Sequence, residues 1–308
     1  MSTRLRIGTR GSPLALVQAR QVADRLAAAH AELAAPGALA TVVIKTAGDR
    51  VQDRTLAEGG GKALFTKEIE DALLDGTIDL AVHSMKDVPT WLPDGLEIAC
   101  LLPREDPRDA LFARVGDSLG SLPAGAVVGT ASLRRRAQIL ARRPDLTVVP
   151  LRGNVGTRLA KLADGKVDAT LLAVAGLRRL GEADRITAIL APEEMLPAVA
   201  QGAIGIECRA GDDRTLAWVA PLDCAATARR VAAERALLAV LDGSCRTPIA
   251  ALAELDDSGG LAFDALVARP DGSAMHRVRR TGAGADAVAI GRDAGAELKA
   301  RAGPDFLS

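Results

Sequence analysis

An apolar run breaks into polar residues over Asp79-Leu80-Ala81-Val82-His83-Ser84-Met85-Lys86-Asp87-Val88-Pro89-Thr90. Its first half reads as a short buried strand, residues 80–83. Ser84, Lys86 and Asp87 then offer a hydroxyl, an ammonium and a carboxylate before Pro89 stops the segment. A parallel α/β sheet presents a site in this way, because ligands bind beyond the carboxyl ends of its strands. Taken alone, Lys86 and Asp87 would serve equally well as solvated turn residues.

Arginines recur at the same kind of place. Arg10 lies between a strand, residues 5–8, and a helix that Ser12 caps and Pro13 begins. Arg134, Arg135 and Arg136 fall in the first turn of a helix capped by Thr130-Ala131-Ser132. The helix dipole disfavours cations at that end, so three of them require a compensating anion. Arg152, Gly153 and Arg158 flank another strand-to-helix junction, where Asn154 is the cap, and Arg179 follows the strand at 169–173. Each alone is an ordinary surface charge. Together, in parallel sheets, they would converge on one crevice, and the ligand would carry several carboxylates or phosphates, which guanidinium grips bidentately.

Cys245 lies in a polar loop with Gly243, Ser244 and Arg246, a setting that favours a thiolate. Cys100 and Cys208 sit inside apolar strands and read as inert small hydrophobes.

These residues need elements to hold them. Strand and helix patterns alternate from residue 5 to 102, with strands at 40–46, 80–83 and 96–101 and a helix from about 66 to 76. Residues 103–108 (PREDPR) form a charged, proline-bracketed hinge, and the same alternation resumes with strands at 126–129, 146–150 and 169–173. Residues 192–197 (PEEMLP) form a second connector, and a strand at 203–207 crosses back toward the first sheet. Helices at 212–220 and 224–241 follow, then strands at 249–255, 261–267 and 274–280 and a helix at 286–301. The expected fold is therefore α/β, two lobes linked by two hinge strands, plus a small α+β C-terminal domain. The boundaries are 1–102 with 198–220, then 103–197, then 221–308.

The totals exclude several functions. Among 308 residues, Lys+Arg and Asp+Glu both number 39, so the chain is no general polyanion binder. Aromatic residues make up 2%, too few for base-stacking surfaces. Four cysteines without a C-x-x-C pair and three scattered histidines argue against zinc. Gly59-Gly60-Gly61-Lys62 fails as a phosphate loop, since Ala63 replaces the magnesium-binding hydroxyl and Leu56 the first glycine. Residues 47–61 read instead as a lid-like loop. With no export signal or membrane anchor, the expectation is a cytoplasmic protein with reduced thiols. A two-lobed anion receptor would explain the hinges and the arginines, but not Cys245 or the third domain.

The segments RIGTRGSPLAL, GGGKALFTKEIE, DLAVHSMKDVPT, VVGTASLRRRAQ, LRGNVGTRLAKL, PAVAQGAIGIECR and ERALLAVLDGSCRTPIAA resemble, in order and over nearly the whole chain, the porphobilinogen deaminase family. The resemblance implies two lobes like those of periplasmic binding proteins and a third domain bearing a dipyrromethane cofactor. That cofactor would be built from substrate and held by a thioether to Cys245. It implies a transferase of tetrapyrrole and heme biosynthesis that joins four porphobilinogen molecules head to tail, releases ammonia and then frees hydroxymethylbilane. Asp87 would be the catalytic carboxylate, holding pyrrole N–H groups and stabilising the cationic azafulvene. Cofactor and substrate would contact Arg10, Ser12, Gln18, Phe65, Ser84, Lys86, Thr130, Ser132, Arg134, Arg135, Arg152, Gly153, Arg158, Arg179 and Gln201. Glu58 departs from members with Lys in that loop. The implied partner is porphobilinogen alone, with no metal, nucleic acid or membrane, and the expected state is a monomer.

Overall fold

The structure is a computed structural model that describes residues 4–46, 66–243, 247–303 and 306. Its elements run β1 (Leu5–Arg10), α1 (Pro13–Ala29), β2 (Leu39–Ile44), α2 (Lys67–Leu74), β3 (Leu80–Ser84) and β4 (Leu96–Leu101). Then come β5 (Asp109–Ala113), β6 (Val127–Gly129), α3 (Leu133–Arg142), β7 (Thr147–Val149), α4 (Val155–Ala163), β8 (Ala169–Ala173), α5 (Val174–Leu180) and β9 (Ala188–Ile189). The chain ends with β10 (Ile204–Arg209), α6 (Asp213–Val219), α7 (Ala225–Val240), β11 (Ile249–Leu255), β12 (Gly260–Ala268), β13 (Met275–Ala283) and α8 (Ala287–Ala302). It divides into two compact units, Met1–Arg104 with Ala203–Ala228, and Glu105–Gly202 with Arg229–Ser308.

The first unit holds a sheet in the order β2-β1-β3-β10-β4. Leu5, Ile7, Leu80, Val82, Ile204 and Ile206 face α1 on one side. Ile69 and Leu73 of α2 close the other against Ala81 and Ile78. Val22 and Leu26 anchor α1 and are fully buried; each contributes about 1.5–3 kcal/mol by leaving water. Gln18 is also buried on this helix.

The second unit holds two sheets. One has the order β7-β6-β8-β5-β9, and the other is the antiparallel meander β11-β12-β13. Ala137 of α3 packs with Leu196, Leu252 and Leu266, joining the two layers. The turn Pro270-Asp271-Gly272 comes so close to α3 that a Cβ on Gly272 would lie 2.5 Å from the Ala141 amide nitrogen.

The sheets are mixed rather than parallel throughout. β1, β2 and β3 are parallel, as are β6, β7 and β8, but β10 runs antiparallel to β3 and β4, and β5 to β8 and β9. Parallel pairing needs a crossover of a dozen or more residues, usually a helix. β5 and β10 each follow a connector without a helical crossover, so nothing imposes the parallel direction on them.

Candidate active site

β1 delivers Arg10 to its carboxyl end, and α1 begins three residues later. Ser12 Oγ accepts the Ala15 amide at 3.3 Å, with Pro13 in the first turn. β3 ends beside it. Ser84 hydrogen-bonds Gln18, with Gln18 Nε2 2.8 Å from Ser84 Oγ. Then Met85–Asp87 form a single 3₁₀ turn that the sequence did not announce. The Met85 amide donates to the Ala203 carbonyl at 3.1 Å. Met85 is buried over Gly205, where any Cβ would sit 2.1 Å from its sulfur. Lys86 and Asp87 are thus carried on a turn clamped to β10. Arg10, Ser12, Gln18, Ser84 and Asp87 line one pocket, together with His83.

In the second unit, Ser132 caps α3, its Oγ accepting the Arg135 amide at 3.4 Å, while Thr130 Oγ1 accepts the Ser132 amide at 3.1 Å. The anion demanded by the arginines at this end is Asp109. Arg134 Nη1 lies 2.7 Å from Asp109 Oδ2, and Arg135 Nη2 2.7 Å from Oδ1. Gln201 Nε2 donates to the same Oδ1 at 2.8 Å. Asp109 is fully buried, and Arg134 and Arg135 are 4% and 5% exposed. Burial pushes the Asp109 carboxyl up, but the two guanidiniums outweigh it and hold it far below the usual carboxylate range. The compensating anion for two of the three arginines therefore comes from within the protein. The arginines are not saturated, however, since Nε of Arg134, Arg135 and Arg136 is buried without a hydrogen-bond partner.

Arg152, Gly153 and Arg158 occupy the junction between β7 and α4. Asn154 Oδ1 caps the helix by accepting the Thr157 amide at 2.9 Å. Gly153 has φ +116, and a Cβ there would lie 2.7 Å from Thr157 Cγ2, so the turn requires glycine. Arg158 Nε donates to the Gly153 carbonyl at 2.8 Å. On α5, Arg179 Nη2 donates to the Gly202 carbonyl at 2.8 Å. Burial lowers the Arg179 pKa, with Glu105 opposing.

The expected residues thus gather into a pocket in the first unit and a set of strand-to-helix junctions in the second. Phe65, Cys245 and the loop 47–61 with Glu58 lie outside the described residues. Sequence reasoning missed Asp109, which directly follows the charged connector at 103–108, and the buried acids Glu70 and Glu207. The one available signal was an acidic residue inside an apolar strand or helix face.

Both units carry basic side chains at or after strand ends, and Asp87 lines a pocket with Arg10 in the first, the arrangement of an α/β enzyme that acts on small molecules. The model of the porphobilinogen deaminase dipyromethane cofactor binding domain matches residues 5–217, and that of the porphobilinogen deaminase C-terminal domain matches residues 228–300. The chain is 58% identical over 305 residues to the chloroplastic porphobilinogen deaminase of Oryza sativa subsp. japonica, covering 98% of this chain and 85% of that one. It is 57% identical over 303 residues to porphobilinogen deaminase of Paracoccus denitrificans, covering 98% and 96%. Among solved structures, it is similar to an ABC transporter periplasmic substrate-binding protein from Coxiella burnetii, with TM-score 0.42 and 15% identity over 73% of this chain and 94% of that one.

The chain belongs to the porphobilinogen deaminase family, the hydroxymethylbilane synthases. It is a transferase of porphyrin biosynthesis that condenses four porphobilinogen molecules on a dipyrromethane cofactor. The donor set fits that cofactor. Its acidic side groups offer acceptor oxygens, and the buried Nε–H groups of Arg134, Arg135 and Arg136 are donors with none.

Proposed function

We propose that Asp87 is the catalytic carboxylate of this condensation and that Cys245 carries the cofactor through a thioether. The observation supporting the first assignment is the pocket where Asp87 shares its walls with Arg10, Ser12 and the Ser84–Gln18 pair. Arg10 and the Ser12-capped helix start attract the substrate's carboxylates. Asp87 accepts the pyrrole N–H and stabilises the cationic azafulvene left when ammonia departs. It then takes part in removing the displaced pyrrole proton.

The bound cofactor supplies the primer onto which new rings are added. Thr130, Ser132, Arg134, Arg135, Arg152, Gly153, Arg158, Arg179 and Gln201 would hold its acid groups, each added ring bringing two more. Lys86 would lend charge beside Asp87, and Phe65 would stack near the substrate ring under the loop 47–61. The domains would follow the boundaries read from the sequence, and the working form would be a cytoplasmic monomer. The free thiols of Cys100, Cys208 and Cys224 suit a reducing compartment.

The experiment is intact mass measurement of the purified protein. An adduct of two pyrrole units that maps to Cys245, and is absent from Cys245→Ser, is expected. A retained adduct in that variant would place the attachment elsewhere.

A further inference from the structure

We propose that the buried pair of His83 and Glu207 anchors the strand end that carries Asp87, with His83 a positioning residue for Asp87. The proposal rests on the reading of Asp87 as the catalytic carboxylate and deepens it.

His83 Nε2 lies 2.8 Å from Glu207 Oε2. Both residues are buried, at 6% and 0% exposure. On the sheet they sit diagonally, since Gly205 pairs with His83 and Glu207 with Ala81. Glu70 of α2 is buried as well, at 3% exposure, and burial raises its pKa above the ordinary value. Glu207 Oε1 has no hydrogen-bond partner. A buried carboxylate is tolerated only when paired, and the His83 ring is the partner of Glu207 at Oε2.

β10 grips the segment leading to Asp87 at successive points. Glu207 holds His83, Ile204 pairs with Ser84, the Ala203 carbonyl holds the Met85 amide, and Gly205 admits the Met85 side chain. His83 and Asp87 line the same pocket. The His83–Glu207 contact thus fixes the end of β3 on which the Asp87 turn is built, and His83 acts on the reaction through the placement of Asp87.

The test compares holoenzyme of wild type, His83→Gln and Glu207→Gln, with ¹⁵N-histidine NMR on the wild type. In the wild type, the His83 Nε2–H proton should exchange slowly with water, because Glu207 holds it in a buried contact. Each single variant should lower kcat on the order of 10²-fold by misplacing the reacting group, with KM little changed. The double variant should be no worse than the worse single. Wild-type kcat in either folded holo variant, a loss carried equally by KM, or a rapidly exchanging His83 Nε2–H overturns the proposal. If the variants do not fold, the wild-type ring spectrum decides. Full activity in Asp87→Asn would overturn the Asp87 reading instead and leave the ring spectrum unaffected, so the two failures are distinguishable.

Discussion

Asp109 and Arg135 form an ion pair inside the second unit, with Oδ1 2.7 Å from Nη2 and neither residue more than 5% exposed. Arg134 shares the same carboxylate, and its Nη1 also donates to the Leu196 carbonyl at 2.7 Å. Asp109→Asn would leave two guanidiniums buried without a counter-ion. The expected loss is about 3–5 kcal/mol of stability, read from denaturant unfolding. The sign with pH follows from the lowered Asp109 pKa. The carboxylate's contribution is complete above the unfolded-state value of about 3.9 and is lost as pH falls below it toward the folded value. The stability gap between wild type and variant should therefore narrow only in acid.

Asp87 is half-buried at the end of the 3₁₀ turn rather than within a core cluster, so Asp87→Asn should fold and load cofactor normally. Turnover should fall by about 10²–10⁴-fold, the usual worth of a positioned acid–base group. Single-turnover assays with porphobilinogen, beside intact mass to confirm the cofactor, measure this. Near-wild-type turnover would remove Asp87 from its role.

Gly205 leaves no room for a side chain, because its Cβ would meet Met85 sulfur at 2.1 Å. Gly205→Ala should cost about 1–3 kcal/mol through overpacking and should reduce kcat by shifting the Asp87 turn. Adding Met85→Ala should make the double variant more stable than the sum of the singles requires. Thermal unfolding of the four proteins closes that cycle; strict additivity would show that the two positions do not compete for space.

The three described cysteines should differ in reactivity. Burial pushes the thiols of Cys100 and Cys208 up to about 12. Burial also raises that of Cys224, but hydrogen bonds from Thr227 and the Ala226 amide outweigh it and bring it below the ordinary value. Iodoacetamide at pH 8 should therefore alkylate Cys224 of the native holoenzyme well before Cys100 or Cys208, as peptide mapping would reveal. Equal labelling before unfolding would contradict the packing of β4 and β10.

Much was legible in the sequence alone because it depends on neighbours in the chain. Ser12, Ser132 and Asn154 cap the helices they precede, since a cap needs only a side chain within three residues of an amide. The alternation of apolar runs placed most strands and helices, though not β5, β9 or α5, and the long family motifs singled out Asp87, the arginines and Cys245 as candidates. Partner choice across the fold was not legible. Arg134 and Arg135 find Asp109 about two dozen residues away, and His83 finds Glu207 across 124 positions. Nothing local favours these partners over any other carboxylate; burial selects them by removing the water that would otherwise solvate each charge. The antiparallel entry of β5 and β10 was likewise decided by tertiary structure, because strand direction depends on where the chain enters the sheet, which no stretch of residues specifies by itself.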